Sequence, residues 1–161
     1  MQWAEVVNDS NLENLPYKIE LNEYGQIVMS PASNKHGFLQ AEIAFFLRSN
    51  KQGKVVTECS IETAKGVKVA DVAWGSIQFF QQNGTDTPYQ HAPEICVEIV
   101  SPANSQLEMT EKISLYLSNG AQEVWICSTE GALEIYNISG KVINSVFFSS
   151  FPNKLDFNLD S

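Results

Sequence analysis

Three charged side chains, Asp71, Glu98 and Lys112, stand where the surrounding sequence favours apolar residues. The segments VKVADVAW and EICVEIV alternate like strands, and each carries an acid among apolar neighbours. Two carboxylates at neighbouring strand ends suit a hard divalent cation such as Mg²⁺, which prefers oxygen ligands. A nearby ammonium can stabilise negative charge that develops on phosphorus oxygens. These residue types together predict metal-assisted hydrolysis of a phosphodiester.

The lysine belongs to a helix that we predict from about Gln106 to Ser118. A Ser-x-x-Glu capping box precedes this segment and an Asn-Gly pair follows it. At 100° per residue, several apolar side chains lie within about 100° of Lys112: Met109, Ile113, Leu115 and Tyr116. Lys112 therefore lies in the apolar stripe. It either reaches Glu98 on the preceding strand, extends to solvent at the helix edge, or pairs with Glu108 one turn earlier.

The strands on either side of this helix complete a βαβ unit from Glu94 to Cys127 with two parallel strands. The other predicted elements are a short helix within 8–15, a hairpin of strands 17–21 and 26–29, a helix from Ser33 or Asn34 to about Ser49, a hairpin of strands 54–63 and 67–74, a helical turn at 77–82 and a closing hairpin of strands 133–138 and 142–148. This order predicts an α/β or α+β fold, a mixed sheet with helices packed on it. We expect one domain over residues 1–161.

A further acid, Glu42, lies on the helix after the first hairpin. Phe38 and Phe46 lie about 40° to either side of it, and Leu39 and Phe45 about 60° away. This arrangement predicts Glu42 on an apolar face. A solvated position at the edge of that face is the other interpretation.

Composition limits the classes of protein that fit. Ten basic and nineteen acidic side chains give a net charge of −9, which opposes non-specific attraction to nucleic acid. Cys59, Cys96 and Cys127 are too far apart for a zinc motif or a disulfide framework, so we expect small buried hydrophobes. The first residues show no targeting signal, and no apolar run approaches membrane length. We therefore expect a cytoplasmic protein without a membrane partner.

Several candidates also have a purely structural interpretation. Asp71 and Glu98 can each be solvated near a strand end or paired with a lysine for structure alone, as charged side chains often are. We expect His36 at the surface or as a helix cap, and Tyr116 and Trp125 in the core. Four lysines can form a basic patch near the strand of Asp71 or can simply be solvated: Lys51, Lys54, Lys65 and Lys68.

The segments VADVAW, EICVEIVSP and EKISLYLSNGAQEVWI resemble the Uma family of restriction-endonuclease-like proteins in the PD-(D/E)XK nuclease superfamily. The resemblance covers the chain from about residue 17 to residue 138, including the opening YKIELNEYGQIVMSPAS. It implies metal binding by Asp71 and Glu98, a backbone carbonyl ligand at Ile99 and a catalytic role for Lys112. Glu42 matches an acid on the first helix that some superfamily members use.

The resemblance further implies a Mg²⁺-dependent endonuclease, with Mn²⁺ able to substitute and DNA as the expected substrate. The sequence departs from the family at Ala70, where a proline usually precedes the aspartate. A catalytically silent relative that binds a protein or nucleic-acid partner is the alternative, and the net charge of −9 favours it. A local basic groove, or a homodimer that builds one, would be needed to overcome this charge.

Overall fold

A computed structural model describes residues 1–150 and 154–155 of the chain. Its helices and strands, in chain order, are α1 (Trp3–Val7), β1 (Tyr17–Leu21), β2 (Ile27–Pro31), α2 (Asn34–Leu47), β3 (Gly53–Thr63), β4 (Gly66–Ser76), α3 (Ile77–Asn83), β5 (Ile95–Ile99), α4 (Gln106–Ser118), β6 (Glu123–Cys127), β7 (Leu133–Asn137) and β8 (Gly140–Val142). The expected single domain over residues 1–161 stays a prediction, since residues 151–153 and 156–161 lie outside the described part.

The main sheet has six strands in the order β3-β4-β5-β6-β7-β8. β5 and β6 are parallel, with Val97 opposite Trp125, and all other neighbours in this sheet are antiparallel. A helix, α4, connects the two parallel strands, as the βαβ pattern predicted. β1 and β2 form a separate antiparallel hairpin. The predicted mixed α/β fold is therefore confirmed.

Helices cover both faces of the main sheet. On one face, a core cluster joins α2 to the strands through Leu39, Ile43, Leu47, Val72, Trp74, Val97 and Trp125. On the other face, a second cluster joins α3 and α4 to the strands through Phe79, Tyr116, Ala73, Cys96 and Val124. Ser105 begins α4 as the predicted cap by accepting a hydrogen bond from the Glu108 N–H at 3.1 Å. All three cysteines are buried and free, as expected of small hydrophobes.

The β3–β4 ladder is interrupted at Asp71. Strand partners are formed on either side of it, but Asp71 and Glu58 opposite it do not pair, and Glu58 adopts a φ of 51°. Gln40 of α2 donates from Nε2 to the freed Asp71 carbonyl at 2.8 Å and to Glu58 Oε1 at 2.7 Å. Ala70 and Ala73, three residues apart, pack in the same core cluster. The regular alternation that placed Asp71 on one face with Val67, Val69 and Ala73 is therefore broken at the acid itself.

The first helix lies earlier than predicted. It spans Trp3–Val7, whereas residues 8–15 form turns. Trp3 and Val6 bury one face of the helix against a cluster that includes Leu21. Asp9 instead accepts hydrogen bonds from the backbone and side chain of Asn11, because a short Asx side chain competes well for nearby donors in turns.

The closing hairpin is shorter than predicted. β7 pairs with only three residues, Gly140–Val142, and the chain then leaves the sheet. The buried carboxylate of Glu123 accepts hydrogen bonds from Ser145 Oγ at 2.8 Å and from the Val146 N–H at 2.7 Å. Phe148 packs edge-on against Trp125, with the ring centroids 5.6 Å apart. These contacts explain why the segment after Val142 does not continue as a strand.

Candidate active site

Asp71 and Glu98 converge on one ammonium group. The Nζ atom of Lys18, on β1, lies 3.1 Å from Asp71 Oδ1 and 3.0 Å from Glu98 Oε2. Asp71 and Glu98 are each 1% exposed. The interrupted ladder at Asp71 and the end of the neighbouring strand β5 place the two acids side by side. Two carboxylates from adjacent strands thus share a single cation position.

Lys112 pairs with two acids. Its Nζ lies 3.3 Å from Glu98 Oε1 and 3.0 Å from Oε1 of Glu20, which is on β1. Glu20 also accepts a hydrogen bond from the Val69 N–H at 2.7 Å. Tyr116, one turn after the lysine on α4, donates its hydroxyl to Glu98 Oε1 at 2.6 Å. Lys112 therefore reaches the strand acid, one of the three arrangements that the sequence allowed.

Asp71 has two further partners. Its Oδ2 accepts from the backbone N–H of Ile99 at 2.7 Å, which connects the acid to the end of β5. His36, in the first turn of α2, brings Nε2 to 3.3 Å from Asp71 Oδ1. A buried carboxylate needs such donors, because an unpaired one would be neutralised or destabilise the fold.

The two central carboxyl groups differ in acidity. Burial alone would raise the pKa of Asp71, but Lys18, His36 and the Ile99 N–H hold this pKa down at about 2. Burial dominates at Glu98 and raises its pKa, despite the opposing pull of Lys112 and Lys18. Asp71 is therefore firmly ionised at neutral pH, whereas Glu98 is the acid that more readily accepts a proton.

The surrounding charged groups respond to the same pairing. Burial opposes the charge of Lys18, but Glu98, Asp71 and Glu20 outweigh it and raise the lysine pKa. The pKa of Glu20 shifts in the opposite direction: burial would raise this pKa, but Lys112 and Lys18 lower it. The hydrogen bond to Asp71 raises the pKa of His36. The cluster therefore favours charged carboxylates at Asp71 and Glu20, charged Lys18 and the protonated form of His36.

An open cavity of about 240 Å³ exposes this cluster. Its lining includes Lys18, His36, Gln40, Asp71, Glu98, Ile99 and Lys112. The walls come from the β1–β2 hairpin, the start of α2, the middle of β4 where the ladder is interrupted, the end of β5, and α4. The cavity is large enough for a phosphate group and several waters to approach the paired carboxylates.

The structure brings together four of the five residues that the sequence analysis selected: Asp71, Glu98, Ile99 and Lys112. Their catalytic and metal-binding roles stay predictions. Glu42 lies apart from them: it is exposed and does not line the cavity, in agreement with the solvated position that was the other interpretation of the sequence. The buried stripe of α2 runs through Leu39, Ile43 and Leu47, about 100° from the side predicted, while Phe38 and Phe45 are 52% and 79% exposed.

Three charged or titratable residues of the site were not predicted from the sequence: Lys18, Glu20 and His36. Lys18 and Glu20 alternate with apolar residues in YKIEL, a pattern that also fits the solvated face of a hairpin. Only the docking of that hairpin against β4 buries this face. His36 was expected at the surface or as a cap, but its side chain is only 18% exposed and points to Asp71.

Two of the four lysines of the suggested basic patch have partners within the chain. Lys65 pairs with Glu111, and Lys68 donates from Nζ to the Leu21 carbonyl at 3.2 Å. These two side chains are thus drawn to groups of the protein itself.

Protein side chains supply only some of the oxygen ligands that a divalent cation needs. Within the described ranges 1–150 and 154–155, no three His, Cys, Asp or Glu side chains are grouped to hold a metal ion. Asp71 and Glu98 nevertheless direct one oxygen each at a common point, with the backbone of Ile99 beside them. Mg²⁺ commonly uses one or two carboxylates and keeps several waters. The residues present therefore fit Mg²⁺, provided that Lys18 leaves this point.

The fold is that of a mixed α/β protein, and a solved structure shares it. A crystal structure from Anabaena variabilis ATCC 29413, described as "a putative nuclease belonging to DUF820", matches with a TM-score of 0.68 and 22% identity over 85% of this chain and 79% of that chain. At this identity the likeness shows the fold alone.

Residues 5–155 match the family described as "Uma2: Putative restriction endonuclease". The chain therefore belongs to the Uma2 family, as the resemblance implied, and this membership supports a nuclease function. No curated protein matches the chain. In the part of the chain that the structure describes, none of the helices has the length and apolar character needed to cross a membrane.

Proposed function

We propose that this protein is a Mg²⁺-dependent endonuclease that hydrolyses phosphodiester bonds of DNA. One observation carries the proposal: Asp71 and Glu98, both buried, direct one oxygen each at a single cation position in an open cavity. Buried carboxylates that converge in a cleft are unfavourable unless a cation is held there. Membership of the Uma2 family supports phosphodiester hydrolysis as the use of this site.

In this proposal, Asp71, Glu98 and the backbone carbonyl of Ile99 would hold the cation. When bound, Mg²⁺ would lower the pKa of a coordinated water and neutralise phosphate oxygens. The Ile99 N–H orients Asp71 by binding its other oxygen, and Tyr116 does the same for Glu98. Such fixed orientation matters because the ligands must not reorganise during the reaction.

Lys112 supplies the second positive charge. It lines the cavity beside Glu98, and Glu20 holds its ammonium group from the other side. A fixed ammonium here can stabilise negative charge that develops on the phosphate or can orient the attacking water. In the proposal Glu20 is a positioning residue, because it acts through Lys112.

Cleavage of supercoiled plasmid DNA with Mg²⁺ or Mn²⁺ tests the function directly. We expect the wild type to nick or linearise the plasmid and Glu98→Gln to lose at least about 100-fold in rate, since one of two carboxylate ligands is lost. Glu134→Gln, which changes a partly exposed carboxylate on β7 outside the cavity, is the matched control and should cleave like the wild type. Equal cleavage by Glu98→Gln and the wild type would refute the proposed site.

Thermal unfolding gives a second measurement that needs no substrate. A ligand that binds only the native state raises stability by RT ln(1 + [L]/Kd). We expect Mn²⁺ to raise the Tm of the wild type and to leave the Tm of Glu98→Ala unchanged. Failure of Mn²⁺ to stabilise either protein would contradict a preformed metal site.

A second candidate function is a catalytically silent nuclease-fold protein that binds a protein or nucleic-acid partner. The net charge of −9 favours it, because this charge repels the DNA backbone. A homodimer that aligns two cavities would favour the nuclease instead, and light scattering after gel filtration measures this state. DNA binding without cleavage in Mg²⁺ and Mn²⁺ would support the silent protein over the nuclease.

A further inference from the structure

The ammonium group of Lys18 occupies the point at which Asp71 and Glu98 converge. We propose that Lys18 is a tethered competitor of the metal ion: it holds the two carboxylates in the metal-free protein and must leave before a divalent cation binds. The inference rests on the proposed function, since it concerns the same pair of carboxylates. It assigns Lys18 a regulatory contact that lowers the metal affinity of the site.

The distances exclude simultaneous occupation. Lys18 Nζ lies 3.1 Å from Asp71 Oδ1 and 3.0 Å from Glu98 Oε2, which is hydrogen-bonding contact with both oxygens. A magnesium ion binds such oxygens at about 2.0–2.1 Å. A cation between the same two oxygens would therefore lie almost on top of the ammonium nitrogen, and the like charges would repel.

The ion pairs around the two carboxylates are compatible with an exchange. Lys18 contacts both acids at the shared point, while Lys112 contacts Glu98 from the other side through Oε1 and is held there by Glu20. A divalent cation in place of the Lys18 ammonium group would therefore leave the two acids paired and the Lys112 contacts unchanged.

Of the two lysines, Lys18 is the one that can leave. It lies on the β1–β2 hairpin, which is separate from the six-stranded sheet, and its side chain is 13% exposed at the cavity. Lys112 is 7% exposed and lies on α4 between Glu20 and Glu98. A rotation about the side-chain bonds of Lys18 can carry its ammonium group into the cavity, where it stays available to a phosphate group.

Metal affinity measures the competition directly. Titration calorimetry with Mn²⁺ would compare the wild type, Lys18→Met and Lys141→Met. Methionine keeps most of the apolar stem of Lys18 but removes its charge. Lys141→Met removes the same charge at an exposed position on β8 and corrects for the change in net charge. We expect Lys18→Met to bind at least tenfold more tightly than the wild type, about 1.4 kcal/mol, and Lys141→Met to stay within about twofold.

The outcomes separate this inference from the proposed function. Tighter binding by Lys18→Met alone supports the competition. Equal or weaker binding by Lys18→Met overturns it and leaves the metal site in place. If neither the wild type nor Lys18→Met binds Mn²⁺, both proposals are overturned.

A measurement on the wild type covers the case in which Lys18→Met does not fold without metal. An ammonium group held between two carboxylates is shielded from an acylating reagent, whereas a displaced one is accessible. Mass spectrometry would follow acetylation of Lys18 by a succinimidyl ester with and without Mn²⁺, with Lys141 as the internal reference. We expect Mn²⁺ to increase the labelling of Lys18 severalfold relative to Lys141. Unchanged or decreased labelling would overturn the competition.

Discussion

Substitution of Lys112 by methionine tests the buried ion pairs most directly. Lys112 contacts Glu20 and Glu98, which are 5% and 1% exposed, so the change leaves two buried acids with fewer partners. Breaking a buried pair commonly costs about 3–5 kcal/mol. Val69 and Tyr116 still donate to these acids, so we expect the lower end, about 3 kcal/mol. For a chain of this size that is a fall in Tm of about 6–12 °C.

The charge-balanced double variant isolates the pairing. Glu20→Gln keeps an oxygen that can accept from the Val69 N–H, so we expect this change alone to cost about 1–2 kcal/mol. In Glu20→Gln/Lys112→Met, one negative and one positive charge are lost together. The free energy of unfolding that the double variant loses should therefore be smaller than the sum of the two single losses, by at least about 1 kcal/mol.

Urea unfolding in the presence of a chelator measures these free energies without a contribution from bound metal. Lys65→Met is the matched control: Lys65 is exposed and pairs with a partly exposed acid, Glu111, so the stability of this variant should lie within about 0.5 kcal/mol of the wild type. Additive losses in the double variant, or a Lys112→Met protein as stable as the control, would refute the pairing of Lys112 and Glu20.

Single substitutions test three more side chains: Tyr116, Glu42 and His36. Tyr116→Phe removes the hydroxyl donor of Glu98 and should cost about 1.5–3 kcal/mol in urea unfolding; no loss would contradict this bond. Glu42→Gln should leave plasmid cleavage unchanged and should change the free energy of unfolding by no more than about 0.5 kcal/mol, because the side chain is exposed. A loss of cleavage would show that Glu42 takes part in the reaction. Asp71 raises the pKa of His36, so the stabilisation is present below the unfolded value of 6.5 and is lost as pH rises through the folded value. His36→Gln should therefore destabilise more at about pH 5.5 than at about pH 8.5, and an equal cost at both would refute this contact.

Local sequence signals predicted much of the fold. The βαβ unit depends on alternation and on a capped helix, which are short-range properties, and α4 has the predicted bounds Gln106–Ser118. The β3–β4 hairpin follows similarly from two alternating segments around a turn. Signals of this kind were weaker at the ends of the chain. There the position of α1 depends on the packing of Trp3 and Val6 against residues far along the chain, such as Val67 and Val69.

The face of a helix is harder to predict than its length. On α2, the phenylalanines around Glu42 suggested an apolar stripe, yet Phe38 and Phe45 are exposed and the stripe through Ile43 is buried. The choice between two apolar faces depends on which one the sheet contacts. That contact joins residues far apart in sequence, so no local pattern determines it.

The sequence by itself determined that Asp71 and Glu98 belong to neighbouring strands, and it brought Lys112 to the helix between two parallel strands. Only the tertiary structure decided which cations the acids meet. Lys18 lies 53 residues from Asp71 and 80 residues from Glu98 along the chain. Its pairing depends on the docking of the β1–β2 hairpin. Period-two alternation predicts that the hairpin has a charged face. Whether this face is buried depends on packing between residues far apart in sequence. Burial lowers the effective dielectric constant around the charges and so makes them interact strongly.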